Sequence, residues 1–340
     1  MILVTGGAGY IGSVLVEKLV ASGKKVRIFD RFYFGKKHLD HLGKSVDLVA
    51  GDIRNFNPKY LGGVEAIFHL AAFSNDPTAE FNPKANWEIN YLATKKLATE
   101  AKRAGISKFI FSSSCSVYYT TTAKTKKKYV EKNKVNPRAP YSLSKFMAEN
   151  ALLKMSGKNF SPTILRAGTV FGFSKRMRYD LVVNTMVKDA LSREAIFVAA
   201  GGEQWRPLVE INDLVRTYLA VLEAPQYLTA GQIFNVLLEN YQVKNVAGII
   251  REALSMNPRI KASKIQNHVK DRSYKASGEK LEKVLGIKPK ISIEDSVKDI
   301  VRNIKKFRYD NFEHPKYYNI AWMMTLSEMD REVFDNGPIF

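Results

Sequence analysis

Cysteine is almost absent from this sequence: Cys115 is the only one among 340 residues, so no disulfide can form within the chain. Such a composition suits a reducing compartment, and we expect a cytoplasmic protein. Long apolar runs are missing too, since none approaches the roughly 20 residues that a transmembrane helix needs. Residues 1–4 are apolar but lack the basic region and the cleavage site of a signal peptide, so we expect none.

Acidic residues and metal ligands are also in short supply. Against 53 lysines and arginines stand 33 aspartates and glutamates, a formal net charge of +20. The excess fits a lysine-rich surface, attraction of a small anionic substrate, or binding of a polyanion. Only residues 124–128 form a dense basic run, so we favour the first and expect neither a nucleic-acid nor a membrane partner. The five histidines show no metal-ligand spacing, and we predict no metal site.

What the sequence does have is the composition of a globular protein, with 45% apolar and 25% charged residues. Its first half alternates short apolar runs with helical patterns, which predicts an α/β fold with a doubly wound, Rossmann-like parallel sheet. The predicted strands are residues 2–5, 25–30, 47–50, 66–70, 108–112 and 163–166, and the predicted helices are residues 11–21, 87–104 and 142–154.

A glycine-rich turn follows the first predicted strand and opens the first predicted helix. Within it, Gly6, Gly9 and Gly12 stand at the three positions of a dinucleotide-binding fingerprint. They allow a tight turn, close approach of a pyrophosphate, and close packing of helix on strand. Asp30 ends the second strand, where a carboxylate accepts hydrogen bonds from ribose and repels a 2′-phosphate. We therefore predict NAD as the cofactor, a preference that the neighbouring Arg31 would weaken.

The second half of the chain has a different pattern. A helix is predicted near residues 180–191, then strands at 196–198 and 206–211, whereas residues 241–306 are mostly helical and basic. We predict an NAD-binding domain from residues 1–170 and about 203–240, and a smaller, mostly helical substrate-binding lobe from about 171–202 and 241–306. Residues 307–340 are rich in aromatic side chains, which predicts a tail docked on the body or on a neighbouring subunit.

A second group of residues carries reactive side chains. Tyr141 and Lys145 are one helical turn apart, so they project from the same face of a helix. A phenol, with an ordinary pKa of roughly 10, needs a nearby positive charge to act as a base at neutral pH. Ser112 and Ser114 lie at the carboxyl end of a predicted strand, where doubly wound folds bind ligands. A surface helix pair and a capped turn are the plain structural alternatives.

In this order along the chain, the motifs resemble the extended short-chain dehydrogenase/reductase family, in its nucleotide-sugar epimerase and dehydratase branch. The resemblance covers residue 1 to roughly 300. The matching segments are residues 6–12 (Gly-Gly-Ala-Gly-Tyr-Ile-Gly), Asp30, 51–53 (Gly-Asp-Ile), 69–72 (His-Leu-Ala-Ala), Asn90, 112–118 (Ser-Ser-Ser-Cys-Ser-Val-Tyr), 141–145 (Tyr-Ser-Leu-Ser-Lys) and 206–209 (Arg-Pro-Leu-Val).

The resemblance implies roles for individual residues. Tyr141 would be the catalytic base and Ser114 its hydrogen-bonding partner, whereas Lys145 would hold the nicotinamide ribose and lower the tyrosine pKa. Arg206 would grip the diphosphate of a nucleotide sugar. The implied cofactor residues are Gly6, Gly9, Tyr10, Ile11, Gly12, Asp30, Asp52, Ile53, Leu70, Ala71, Ala72, Asn90, Ser112, Tyr141 and Lys145. The predicted substrate residues are Ser114, Ser116, Tyr141, Thr169, Asn184, Arg206 and Arg272. Among them Asn184 and Arg272 are weaker candidates, for which a surface or packing role is the plain alternative.

Some positions depart from the family pattern. Cys115 and Ser116 stand where the family's dehydratases carry Asp-Glu, and its decarboxylating branch has a glutamate in place of Ser116. Neither residue is a good proton shuttle, so the sequence disfavours dehydration and decarboxylation and favours 4-epimerisation. Tyr119 replaces a usual glycine, and Thr169 replaces an asparagine that contacts substrate in many relatives. We therefore expect the sugar to be held differently.

The sequence thus predicts an NAD-dependent nucleotide-sugar epimerase that acts at C4 through a transient 4-keto sugar. Its substrate would be UDP- or dTDP-linked, and its assembly a homodimer. A nucleotide-sugar reductase or dehydrogenase stays open as an alternative, as does a non-catalytic NAD- or RNA-binding relative. The intact set of Tyr141, Lys145 and Ser114 argues against the last.

Overall fold

The computed structural model describes residues 1–119, 127–254, 256–263 and 273–333. The strands are β1 (Ile2–Thr5), β2 (Val26–Asp30), β3 (Val46–Ala50), β4 (Ala66–His69), β5 (Lys108–Ser114), β6 (Lys128–Tyr129), β7 (Ser161–Ala167), β8 (Thr169–Phe171), β9 (Ala195–Ala199), β10 (Trp205–Glu210), β11 (Ile233–Val236), β12 (Glu239–Gln242), β13 (Arg259–Ser263) and β14 (Lys275–Ala276). The helices are α1 (Tyr10–Ala21), α2 (Asp76–Phe81), α3 (Pro83–Trp87), α4 (Ala93–Arg103), α5 (Pro140–Met155), α6 (Val182–Arg193), α7 (Ile211–Glu223), α8 (Gln226–Thr229), α9 (Val243–Ala253), α10 (Glu279–Leu285), α11 (Ile293–Phe307) and α12 (Asn319–Val333).

A seven-stranded parallel sheet forms the centre of the molecule, in the order β11-β7-β5-β4-β1-β2-β3. From β1 the chain winds outward first through β2 and β3, and then in the other direction through β4, β5 and β7. This is the doubly wound topology, in which ligands bind at the carboxyl ends of the strands where the direction reverses, between β1 and β4. The predicted fold class is confirmed.

Side-chain alternation divides the core into two layers. In β1, Val4 packs in one cluster with Leu15 and Leu19 of α1 and with Leu214 of α7. Its neighbour Leu3 faces the other side and packs in a second cluster with α4 and α5. Successive residues of a strand point to opposite faces, so a strand that is apolar throughout must be covered on both sides. The buried strands are therefore continuous apolar runs, which is the pattern that predicted them from the sequence.

The helix predicted at residues 87–104 is interrupted. The chain runs from α3 through a π-helical turn, Glu88–Leu92, into α4. The π-helical turn places Asn90 beside the loop after β4. There its side-chain amide accepts a hydrogen bond from Phe73 N (2.9 Å) and donates one to Phe73 O (3.0 Å). Propensity alone would not reveal this turn, because the pairing residue lies 17 positions away.

Six short strands were not predicted from sequence, namely β6, β8, β11, β12, β13 and β14, whereas β9 and β10 match the strands predicted at residues 196–198 and 206–211. β11 completes the main sheet beside β7, and β8, β10 and β12 form a separate three-stranded sheet. β13 pairs with β9, and β14 with β6. Most are two to five residues long, too short for a periodic pattern to stand out. The division of the chain into two lobes stays a prediction.

The C-terminal segment, which we define as residues 308–333, docks on the body of the molecule. Tyr179 N donates to Tyr317 O (2.9 Å), and the indole N–H of Trp322 donates to Tyr33 O (2.6 Å). Met323 is buried against the α4–α5 layer. Across the described ranges, we find no helix with both the length and the apolar character needed to span a membrane. Residues 124–126 of the basic run lie outside the described residues.

Candidate active site

A cleft of about 390 Å³ opens at the carboxyl ends of the central strands. Most of the residues predicted to bind cofactor or substrate line it: Gly6, Gly9, Tyr10, Ile11, Gly12, Asp30, Asp52, Ile53, Leu70, Ala71, Ala72, Ser112, Ser114, Ser116, Tyr141, Lys145, Thr169 and Arg206. These residues follow at least five different strands, and the parallel sheet brings their loops to one edge. Their roles toward a ligand stay predictions.

Two of the predicted residues lie behind the cleft wall. Asn90 is fully buried and holds the Phe73 backbone, as described above. Asn184 is fully buried as well; its amide donates to the Tyr10 hydroxyl (3.1 Å) and accepts from Gly172 N (3.1 Å). Both support residues or loops that line the cleft, so direct contact with a ligand would need a rearrangement. Arg272 lies outside the described residues.

The glycine turn has the geometry that the fingerprint requires. Gly6 has φ +72°, and a Cβ there would lie 2.6 Å from Ala71 N. A Cβ on Gly12 would lie 2.1 Å from Gly6 O, closer than any side chain tolerates. Gly9 is the N-cap of α1 and has no side chain to cover the first N–H groups of the helix. The backbone is thus free to receive phosphate oxygens at a positive helix end, and these residues fit a dinucleotide.

Asp30 is held rigidly beside this turn. Its carboxylate accepts from Ala8 N (3.0 Å) within the turn and from Phe32 N (2.8 Å), a residue with φ +55°. Burial raises the pKa of Asp30 and outweighs these hydrogen bonds, which lower it. The carboxylate therefore both braces the turn and borders the cleft, as a ribose-binding acid would.

Tyr141 and Ser114 meet across the other half of the cleft. Tyr141 lies in the first turn of α5, after Pro140, and Ser114 is the last residue of β5. The Ser114 hydroxyl acts on the pKa of the Tyr141 phenol. Burial raises the pKa of Tyr141 to about 12, and the negative charge of Asp76 adds to the rise. The Ser114 hydroxyl and the positive charge of Arg178 lower the pKa of Tyr141 and so act in the opposite direction.

Lys145 lies one turn further along α5 and is almost fully buried. Its ammonium donates to Ser112 O (2.8 Å) and sits above the Phe111 ring, 4.7 Å from the centroid. Burial lowers the pKa of Lys145 to about 7, against the influence of Glu149, which raises it. In this structure Arg178 is the cation that lowers the Tyr141 pKa. The expectation that Lys145 does so stays a prediction.

The residues after Ser114 differ sharply in their surroundings. Cys115 is fully buried, and its thiol contacts Arg166 O (3.1 Å) rather than the cleft. Burial raises the pKa of this thiol far above its ordinary value. Ser116 lines the cleft, and its hydroxyl has no hydrogen-bond partner among the described residues. At the two positions after Ser114, the only side chain that lines the cleft therefore carries a neutral hydroxyl.

Sequence reasoning missed several residues of the cleft. Asp76, Arg176, Arg178 and Tyr274 line it, as do Asn319 and Met323 of the C-terminal segment. Arg178 forms a two-pronged ion pair with Asp180, with N···O distances of 2.8 and 2.9 Å. No local motif marks these positions, because their approach to the cleft depends on contacts between distant parts of the chain.

The chain matches the family model described as "NAD dependent epimerase/dehydratase family" over residues 2–236. The protein belongs to this family. Its motifs are those of the extended short-chain dehydrogenase/reductase type, and its cofactor is NAD. The resemblance stated from the sequence motifs is thereby confirmed.

Three similar proteins illustrate the range of this NAD dependent epimerase/dehydratase family. UDP-glucuronic acid decarboxylase 1 of Xenopus tropicalis is 30% identical over 231 residues, covering 66% of this chain and 53% of that protein. A putative UDP-glucose 4-epimerase of Methanocaldococcus jannaschii is 27% identical and covers 90% of this chain and 98% of its own. The solved UDP-glucose 4-epimerase of Thermotoga maritima with UDP-glucose is 26% identical, with a TM-score of 0.79 and coverage of 90% and 99%. The chain spans about half the length of the vertebrate decarboxylases it matches.

Proposed function

We propose that this protein is an NAD-dependent nucleotide-sugar 4-epimerase, acting on a UDP- or dTDP-linked sugar. The observation that carries the proposal is the absence of a carboxylate at the two positions after Ser114: Cys115 faces away from the cleft, and Ser116 offers only a hydroxyl. Removal of a proton from a sugar carbon needs a base, whereas epimerisation by oxidation and reduction at one carbon needs a base for a hydroxyl only.

Tyr141 is that base in our proposal. Its phenol reaches into the cleft beside Ser114, whose hydroxyl would orient the C4 hydroxyl of the sugar. When bound, NAD supplies a hydride acceptor, and its positive ring favours the phenolate of a neighbouring tyrosine. Tyr141 would take the hydroxyl proton as the sugar is oxidised and return it after the ketone has turned over. The net redox change is zero, so the cofactor would stay on the enzyme.

The nucleotide end of the substrate would lie at the rim formed by Arg206 and Tyr274. The Arg206 guanidinium lies over the Tyr274 ring, 5.7 Å from its centroid, and both residues line the cleft. A guanidinium in this position suits a diphosphate. Thr169, also in the wall, is shorter than an asparagine and would leave the sugar more room on that side. We retain the homodimeric assembly as part of the proposal.

A decarboxylase or dehydratase is the second candidate, and one observation favours it. Asp76, at the start of α2, lines the cleft and acts on the pKa of Tyr141 through its negative charge. A carboxyl group on that side could remove the carbon-bound proton in a dehydration, or give a proton to the carbon that loses CO₂ in a decarboxylation. In the 4-epimerase proposal, Asp76 instead binds a sugar hydroxyl.

Product analysis distinguishes these reactions. The full chain is incubated with UDP-glucose, UDP-galactose, UDP-glucuronic acid or dTDP-glucose without added cofactor. The nucleotide sugars are then separated by chromatography, and their masses are measured by mass spectrometry. We expect a product of unchanged mass that differs only at C4, and no turnover by Tyr141→Phe. Loss of CO₂ or water would support the second candidate. Turnover that strictly consumes external NAD(H) would contradict both and favour a reductase or dehydrogenase.

A further inference from the structure

Arg176 is a buried cation at the edge of the cofactor half of the cleft. Only 5% of the residue is exposed, and its guanidinium lies 3.6 Å from the centroid of the Phe34 ring. Its backbone is tied to the first turn of α1, because Arg176 N donates to Ser174 Oγ and Ser174 Oγ donates to Tyr10 O (2.8 Å). The side chain therefore lies beside the N-terminus of the helix that the glycine turn opens.

Two donors of this guanidinium have no acceptor. Nη2 donates to Asn319 Oδ1, but Nε and Nη1 are shut off from water and have no hydrogen-bond partner in the described part of the chain. The nearby carboxylates are engaged elsewhere: Asp180 holds Arg178, and Asp30 holds Ala8 N and Phe32 N. Buried donors of a charged group are costly to leave without partners, so the arrangement favours an anion as the missing acceptor.

The C-terminal segment fixes the other side of Arg176. Asn319 accepts from Nη2, donates its own amide to Ser74 Oγ (2.8 Å) and, through its backbone N–H, donates to Asp180 Oδ2 (3.1 Å). Arg176 and Asn319 are 143 residues apart in sequence, yet both line the cleft that the glycine turn borders. The segment thus contributes to the wall of the site as well as covering the body.

We propose that Arg176 binds the pyrophosphate of NAD together with the glycine turn, with Asn319 as its positioning residue. The α1 N-terminus supplies backbone N–H groups, and Arg176 supplies a positive charge with N–H donors that lack an acceptor. The guanidinium needs only to turn toward the cleft that it already borders. The inference concerns the cofactor and holds whichever sugar reaction the enzyme performs.

Binding measurements on the full chain test this inference without using activity. Bound nucleotide is stripped, and calorimetry then gives the Kd of NAD, ADP-ribose, adenosine and UDP for the unmodified chain, Arg176→Gln, Asn319→Ala and the control Arg302→Gln. Arg302 is exposed on α11 and pairs only with Asp299 in the described structure. We expect Arg176→Gln to weaken NAD and ADP-ribose at least tenfold, about 1.4 kcal/mol, and Asn319→Ala to weaken them less. Adenosine, UDP and the control should change by less than about twofold, well below that tenfold effect.

Thermal unfolding of the same variants separates binding from folding. Arg176→Gln removes a buried charge with unmet donors, so we expect its ligand-free Tm to stay the same or rise. NAD affinity within twofold of the unmodified chain in a folded Arg176→Gln protein would overturn the inference. So would a loss that falls on UDP rather than NAD, because it would assign Arg176 to the nucleotide sugar. An equal loss of affinity for adenosine would show that the substitution disturbs the site in general, and this result would also overturn the inference.

Discussion

The hydroxyl of Ser114, at the end of β5, favours the ionised form of the Tyr141 phenol at the start of α5. Both groups are uncharged at neutral pH in the ligand-free protein, because burial raises the pKa of Tyr141 to about 12. A base that works at neutral pH must therefore be created by ligand binding. This relationship leads to the first prediction.

Binding of NAD should lower the pKa of Tyr141. A positive nicotinamide ring near the phenol favours its ionised form, whereas NADH carries no such charge. An ultraviolet difference titration of the unmodified chain against Tyr141→Phe isolates this one phenol. We expect phenolate to form at lower pH with NAD than without ligand, and NADH to give a smaller shift. An unchanged titration would contradict the proposed role of Tyr141 as the base.

Burial of Lys145 should make the stability of the ligand-free protein depend on pH. Its pKa in the folded chain is about 7, below the ordinary 10.5, so the unfolded chain binds the extra proton between those values. The destabilising effect of Lys145 is therefore full below about pH 7 and declines as pH rises toward about 10.5.

The variant Lys145→Met tests this dependence. It should be more stable than the unmodified chain at pH 6, and the difference should shrink steadily up to pH 9.5. Urea unfolding at several pH values, with exposed Lys283→Met as the control, measures it. A stability difference that does not vary with pH would show that burial does not lower the pKa of Lys145.

The buried pair of Glu149 and Arg166 should matter for folding. Arg166 Nη2 lies 2.6 Å from Glu149 Oε2, and both side chains are almost fully buried beneath the Ser112–Ser114 strand end. Removing one partner leaves a buried charge without its counterpart, so we expect Arg166→Met to cost about 3–5 kcal/mol of unfolding free energy.

The double variant Glu149→Met with Arg166→Met completes a thermodynamic cycle. Because it removes both charges, it should be more stable than either single variant. Urea denaturation gives all four free energies. If the two single losses simply add in the double variant, the two side chains do not stabilise the fold as a pair.

Site residues could be predicted from the sequence where the contacts that define them are local, and not where they join distant parts of the chain. The glycine turn and the Tyr141–Lys145 pair are local patterns, with spacings that a helix or a tight turn imposes. Asp76 and Arg176 carry no such pattern, since Arg176 becomes part of the cleft through Asn319 at the other end of the chain. Cys115 could be placed next to Ser114 from sequence, but only the packing of β5 against Arg166 of β7 shows that its thiol faces away from the cleft.

The same distinction explains the fold. Strands that are apolar on both faces stood out, whereas β8 and β14 are only three and two residues long and form because distant partners hold them. The helix at residues 87–104 was recognised as helical, but not its π turn, which depends on the pairing of Asn90 with Phe73. Local periodicity gives the type of an element, and tertiary contacts give its irregularities.

Gly12 should be intolerant of even one added methyl group. A Cβ there would lie 2.1 Å from Gly6 O and 2.8 Å from the Cα of Gly7, and both contacts are backbone atoms that cannot swing aside. We expect Gly12→Ala to move the start of α1 away from the glycine turn, weaken NAD by more than tenfold, about 1.4 kcal/mol, and lower the Tm.

Gly248 provides the matched control. It lies within α9, where an added Cβ would meet no atom within 4 Å. Gly248→Ala should leave NAD affinity unchanged and raise stability by up to about 1 kcal/mol, because alanine is the better helix former. Calorimetry for NAD and thermal unfolding compare the two variants directly. Equal effects of the two substitutions would mean that close packing at Gly12 does not hold the cofactor turn, and the dinucleotide-binding role of this turn would lose its main structural support.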